Sequence, residues 1–317
     1  MQPGRSCPSA YRYSPSDLAR ASPWRAETLY VVGGLYGNRA ALKAVLACAE
    51  REPAEVRLVF NGDFNWFNVD VDDFLAINNA VLQHLALRGN VETELSGDDN
   101  GAGCGCGYPE WVDDSEVERS NLIMSRLRTT AHAYPGVRAR LRTLPMYTVA
   151  KVGGLHIAIV HGDAESLAGW GFSQEALQDE SQRDKVYAWF NAAAARVFAS
   201  SHTCLPVIQD FETPHGRCVL ANNGAAGMPN FRTARNGLVT RISCTPSADA
   251  LYGTVLDGVH IEALPVDYDY ASFERVFLAN WPAGSPAYDS YYRRITDGPS
   301  YDVASAVRLQ GERSNTM

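Results

Sequence analysis

Four polar residues stand directly behind short apolar runs. Asp63 follows VRLVFNG, Asn90 follows LALRG, His161 follows LHIAIV, and His202 follows RVFASS. Apolar runs of this length read as buried strands, and open α/β sheets gather their ligands at the carboxyl ends of strands. The four side chains offer two oxygens and two imidazole nitrogens. That donor set suits a borderline divalent ion such as Mn, Fe or Zn, with positions left for water and substrate. Singly, each has an ordinary explanation: Asp63 as a helix N-cap, Asn90 as a turn residue, either histidine as a hydrogen-bonded core or surface group. Their recurrence at successive strand ends outweighs those explanations.

Two other patterns invite chemistry. Cys104-Gly105-Cys106 lies in a Gly-rich stretch, residues 95–113, that is too long for a plain connector. Two thiols one residue apart are either a metal-binding pair at a pocket rim or small apolar groups packed in a tight loop, and both readings stay open. Gly33, Gly34 and Gly37 resemble a phosphate-cradling loop, but no Lys-Ser/Thr follows. A P-loop is excluded.

The elements that must position these residues alternate. Residues 28–32, 56–60 and 85–87 read as strands, with amphipathic helices over 39–50 and 72–85 between them. That alternation predicts a parallel, helix-covered sheet. Residues 116–142 read as helical with a break at Pro135-Gly136. Strands return at 147–152, 156–160, 217–221 and 238–243, with a long helix over 185–199. Residues 253–266 read as a hairpin through Asp257-Gly258. Residues 1–26, rich in Ser, Pro, Arg and Tyr, read as an extended N-terminal arm. The expected organisation is one α/β domain over 27–266 with a Gly-rich and helical insertion at about 95–142. Residues 267–317 form C-terminal helices and a tail on the same domain.

Composition narrows the class. The chain has 317 residues, 28 Lys and Arg against 36 Asp and Glu, and a net charge of −8. No basic cluster relieves that charge, which argues against a nucleic-acid partner. Seven scattered cysteines argue for reduced thiols in a cytoplasm rather than a disulfide framework. The N-terminus lacks the apolar segment of a signal peptide, and no apolar run approaches a membrane span. A cytoplasmic protein without a membrane partner is expected. Tyr288, Tyr291, Tyr292 and Tyr301 in the tail leave room for a homo-oligomer interface.

In this order the motifs resemble the calcineurin-like metallophosphoesterase superfamily, nearest its small bacterial phosphodiesterase branch. Gly34-Leu35-Tyr36-Gly37-Asn38, followed by Arg39-Ala40-Ala41-Leu42, is similar to the family's Asp-x-His-Gly-Asn and Ala-Ala-Leu. Gly62-Asp63, Gly89-Asn90-Val91-Glu92 and His161-Gly162 match its later motifs. Ser201-His202-Thr203-Cys204-Leu205-Pro206 resembles its Gly-His-Thr-His-x-Pro, and Asn222-Asn223-Gly224-Ala225 with Pro229 resembles its closing turn. The resemblance spans roughly residues 28–266, with 95–140 unlike the usual pattern. It implies layered β-sheets flanked by helices with a metal site at the carboxyl ends of strands. One metal would take Asp63, Asn90, His161 and His202. The other metal's positions fall on Gly34, Tyr36, Asp63 and Cys204, so that half is rebuilt. Either one ion binds, or Cys204 and Tyr36 hold a second, softer or ferric one.

The resemblance implies a metal-dependent hydrolase acting on a small-molecule phosphomonoester or phosphodiester through an activated water. Val91 stands where the family has a histidine, so another proton donor is needed; Tyr36, Glu92 and Asp163 are the candidates. Arg88 is either a phosphate clamp or a solvated side chain. The rival expectations are a non-catalytic binding module that kept the fold, and repurposed iron and cysteine chemistry.

Overall fold

The computed structural model describes residues 2–98 and 101–310. In chain order its elements are α1 (Pro15–Arg20), β1 (Trp24–Arg25), β2 (Thr28–Val32), α2 (Arg39–Glu50), β3 (Val56–Asn61), α3 (Val71–Val81), β4 (Leu85–Leu87), α4 (Asn90–Ser96), α5 (Asp114–His132) and α6 (Pro135–Arg142). There follow β5 (Tyr147–Val152), β6 (Leu155–Val160), α7 (Arg183–Ala193), β7 (Val197–Ser200), β8 (Pro206–Thr213), β9 (Gly216–Asn223), β10 (Gly237–Ser243), β11 (Tyr252–Leu256) and β12 (Val259–Val266). The chain closes with α8 (Tyr270–Asn280), α9 (Pro286–Asp297), α10 (Val303–Ala306) and β13 (Val307–Arg308).

The strands form two stacked sheets, ordered β1-β5-β6-β7-β9-β8-β13 and β11-β12-β10-β2-β3-β4. Alternation along each strand decides which residues meet. Leu29, Val31 and Val59 face Ile157, Ile159, Val197 and Val219 between the sheets. Tyr30, Val32 and Phe60 turn the other way, onto a core shared with α2, α3, α5, α8 and α9. Ala158, Val160 and Phe198 cover the opposite face with α1 and α7. Strands buried on both faces read as continuous apolar runs, which is why β2, β3 and β6 stood out in the sequence.

The parallel arrangement expected for the first half is present in β2, β3 and β4, which pair in parallel. Both sheets are mixed, however: β10 pairs antiparallel with β2 and with β12, and β5 antiparallel with β6. The helix expected over 185–199 ends at Ala193, with Ala194 in a left-handed cap, and the rest is strand β7. A four-residue buried strand carries no periodicity that separates it from a helix end. The arm is not extended throughout, since a capping box between Ser14 and Asp17 starts the short helix α1.

Of the four tail tyrosines, Tyr301 is buried and Tyr291 is partly so. Tyr301 stacks on Phe231 and donates to the Pro206 carbonyl at 2.9 Å, and Tyr291 packs edge-on against Phe67. Trp281, 1% exposed, donates its indole N–H to the Phe67 carbonyl at 3.0 Å and anchors the C-terminal helices to the domain. Among the described residues, no helix is long and apolar enough to cross a membrane.

Candidate metal centre

The carboxyl ends of β2, β3 and β4 in one sheet and of β6 and β7 in the other lie at the same end of the stack. Asp63 leaves β3 through Gly62, Asn90 opens α4 just past β4, and His161 and His202 follow β6 and β7. The donors meet. Asp63 Oδ2 lies 3.3 Å from His161 Nε2, and His161 Nε2 lies 3.2 Å from His202 Nδ1. The three side chains are buried and present ligand atoms within 4.8 Å of one another.

Hydrogen bonds on the far sides of the rings decide which nitrogens face inward. His161 Nδ1 donates to the Asn61 carbonyl at 2.6 Å, and His202 Nε2 donates to the Cys106 carbonyl at 3.0 Å. A carbonyl only accepts, so each of these nitrogens carries its proton. Two imidazole lone pairs therefore face each other at 3.2 Å beside a carboxylate. That contact is repulsive unless a proton or a cation sits between them.

Burial and charge show the same tension. Burial works against protonation of His161, yet the Asp63 carboxylate raises its pKa above the ordinary value. Burial and the neighbouring His161 push His202 down to about 4. Burial opposes ionisation of Asp63, but the charge of His161 and its hydrogen bond hold the pKa below the ordinary value.

Asn90 lines the same cavity. Its Nδ2 is held by the Cys104 carbonyl at 2.9 Å, while its Oδ1 is buried with no hydrogen-bond partner. An unsatisfied buried acceptor costs about 1–3 kcal/mol, so an oxygen left unpaired in a residue that lines this cavity marks a place where a cation would be accepted. One carboxylate, one amide oxygen and two correctly protonated imidazoles fit a divalent cation.

Close approach makes two glycines obligatory. A Cβ at Gly89 would fall 2.2 Å from Asp63 Oδ1 and 2.8 Å from the His161 ring. One at Gly62, itself at φ +80°, would fall 2.5 Å from the Gly89 nitrogen.

The rebuilt half is filled by protein. A Cβ at Gly34 would lie 2.6 Å from the Tyr36 ring, so the phenol occupies the space over that glycine. Tyr36 Oη lies 2.9 Å from Cys204 Sγ, and both residues adopt left-handed backbone conformations. Burial raises the pKa of Tyr36 well above normal and that of Cys204 above normal, so both keep their protons at neutral pH. The Cys204 sulfur is not one of the three converging ligands.

The other expected site residues are placed differently. Tyr36 lines a small cavity together with Asp63, Asn90 and His202. Glu92 is fully buried and accepts the backbone N–H groups of Asp63, Gly89 and Asn65 at 2.7, 3.1 and 3.2 Å. Burial, with Asp63 beside it, pushes its carboxyl up to about 7. Asp163 accepts the N–H groups of Glu165, Ser166 and Gly171, tying up the loop after His161. Neither carboxylate lines the cavity. Arg88 is also absent from the lining, with its Nε buried and unpaired.

Sequence reasoning missed the aromatic wall. Trp66, Tyr108, Trp170 and Tyr291 line the cavity, and Trp170 stands edge-on to His202 with Trp111, 60% exposed, against its outer side. Nothing marks such residues in a sequence, because they come from three loops and the distant helix α9. Asn61, whose carbonyl orients His161, was readable only as half of an Asn-Gly turn.

No protein-family model and no curated protein matches the chain. Solved structures do. A metallophosphoesterase from Sphaerobacter thermophilus superposes with a TM-score of 0.54 at 15% identity, over 86% of this chain and 100% of that one. A hypothetical protein from Pyrococcus horikoshii gives 0.53 at 20% identity, over 86% of this chain and 99% of its own. At these identities the likeness speaks to architecture alone: the chain shares its fold with these two structures.

Proposed function

We propose that this protein is a metal-dependent hydrolase of small-molecule phosphoric esters, monoester or diester, working with one divalent ion. The observation that carries the reading is the pair of facing imidazole lone pairs beside Asp63, completed by the unpartnered Asn90 oxygen. Asp63, Asn90, His161 and His202 would hold the ion. When bound, it supplies Lewis acidity, drawing charge from a phosphoryl oxygen and lowering the pKa of a water toward neutrality.

The chain's own residues do the rest. Glu92 pins the turn that aims Asp63, and the Asn61 carbonyl keeps the His161 ring in its ligating orientation. Tyr36 reaches the cavity and keeps its proton at neutral pH, so its phenol is the donor for the leaving oxygen. The aromatic wall gives the organic part of the ester an apolar surface and limits water. One ion is favoured over two because Gly34 brings no carboxylate, the Tyr36 ring fills the space above it, and the Cys204 thiol stays protonated.

The test is elemental analysis of protein purified without chelator, followed by hydrolysis of p-nitrophenyl phosphate and bis(p-nitrophenyl) phosphate with Mn, Fe or Zn. One equivalent of metal and metal-dependent turnover are expected, both lost in His161→Ala and His202→Ala. Protein that holds no metal and cleaves neither ester would be the non-catalytic module instead.

A further inference from the structure

The carbonyls of the Gly-Cys-Gly-Cys stretch hold His202 and Asn90, and the N-terminal arm, which has no part in the reading above, packs on that stretch. The Cys106 carbonyl accepts from His202 Nε2 at 3.0 Å and from the Trp170 indole at 3.0 Å, so both of its lone pairs are used. The Cys104 carbonyl accepts from Asn90 Nδ2 at 2.9 Å. Two of the four proposed ligands are thus oriented by backbone of a single loop.

That loop is strapped down by the arm. Gly4 donates its N–H to the Ala102 carbonyl at 2.8 Å and accepts from the Tyr108 N–H at 2.9 Å, pairing with both limbs of the loop. Tyr11, 1% exposed, donates to Glu94 Oε1 at 2.5 Å. Arg128 holds the other Glu94 oxygen at 2.6 Å and reaches the Gly103 carbonyl at 3.2 Å. Gly105 passes so close beneath Tyr11, at φ +67°, that a Cβ there would lie 2.3 Å from the phenol oxygen.

We propose that the 101–108 loop, clamped by the N-terminal arm through Gly4 and Tyr11, is a positioning element of the metal centre. Its Cys106 carbonyl fixes the tautomer of His202, and its Cys104 carbonyl fixes which way the Asn90 amide points. The inference rests on the proposed metal site, and it explains the choice of residues. A ring nitrogen facing a carbonyl must carry the proton, which leaves Nδ1 of His202 free for a cation. An amide held by its nitrogen leaves its oxygen, which has no partner in the protein, free to accept. Orienting partners of this kind are worth about 10- to 100-fold in metal affinity. Backbone carbonyls can serve only where the loop is immobilised, and the arm immobilises it.

The experiment is ¹⁵N NMR of the histidine imidazoles in the full chain, zinc-loaded and zinc-free, alongside the zinc Kd. Wild type should show His202 protonated on Nε2 and His161 on Nδ1. Gly105→Ala, which drives a methyl group into Tyr11, should leave His202 a mixture of tautomers and weaken zinc at least tenfold. Tyr11→Phe, which introduces no clash, should shift both readouts the same way by a smaller factor, and it decides the matter if Gly105→Ala does not fold. Leu256→Ala, in the core between the sheets, lowers stability without touching the loop and should move neither readout. A wild-type His202 protonated on Nδ1 would overturn the proposal, as would folded loop and arm variants with wild-type tautomer and zinc affinity. If wild type binds no zinc, the metal reading falls. The zinc-free tautomers of wild type and Tyr11→Phe then still decide the role of the loop.

Discussion

The most discriminating consequence of the site concerns the protein without its ion. His202 is buried, faces His161, and has its pKa pushed down to about 4, against about 6.5 for an unfolded histidine. A group whose folded pKa lies below its unfolded value binds fewer protons in the native state. Unfolding then takes up a proton, and stability falls as the pH drops from about 6.5 to about 4. At 1.36 kcal/mol per pKa unit the whole interval is worth about 3 kcal/mol, of which about 2 kcal/mol falls between pH 6.5 and 4.5. The perturbation is His202→Gln, which keeps an N–H donor for the Cys106 carbonyl but does not titrate. Urea unfolding of chelated protein, followed by tryptophan fluorescence at half-unit pH steps, gives ΔG against pH for both proteins. Carboxylates elsewhere contribute to both curves and cancel in the difference. Wild type should lose about 2 kcal/mol more than His202→Gln over pH 6.5 to 4.5. Parallel curves would mean that His202 is not held neutral against His161, and the argument from facing lone pairs would be wrong.

Three further outcomes follow from the same geometry. Because Asp63 raises the pKa of His161 against the effect of burial, zinc binding near pH 6.5 should be accompanied by proton release. Titration calorimetry in buffers of different ionisation enthalpy reads that release, and its absence would separate His161 from the ion. Gly89→Ala places a methyl group 2.2 Å from Asp63 Oδ1, so zinc affinity should fall about 10- to 100-fold with a stability loss of about 1–3 kcal/mol. Equilibrium dialysis and urea unfolding measure the two losses, and unchanged zinc affinity would contradict the close approach. Tyr36→Phe should lower kcat about 100-fold for esters with alkyl leaving groups but little for p-nitrophenyl esters, whose leaving group needs no proton. Equal losses for both would remove Tyr36 as proton donor.

How much of this was legible in the sequence depended on what kind of atom carries each role. Asp63, His161 and His202, which converge, and Asn90, which lines the same cavity, could be read because each lies one to three residues beyond a buried strand, and strand ends in such sheets lie together. Tyr36 and Cys204 could be found only as departures from a motif series. That their side chains would meet at 2.9 Å over Gly34 depends on left-handed backbone at both positions, which neither residue type announces. Glu92 shows the opposite error: its chemistry suggested proton transfer, while its place three residues past Gly89 makes it an acceptor for backbone N–H groups. The Cys104 and Cys106 carbonyls were beyond reach altogether. Sequence left the thiols of this loop open between a metal-binding pair and apolar packing, whereas the hydrogen bonds that hold His202 Nε2 and the Asn90 amide go to the main chain. Every residue has a carbonyl, so residue identity cannot show which ones point inward; the alternating glycines show only that the backbone bends sharply there. In a fold whose ligands come from strand ends, the ligands are therefore written in side chains. The groups that choose their tautomers and amide directions are written in loop conformation.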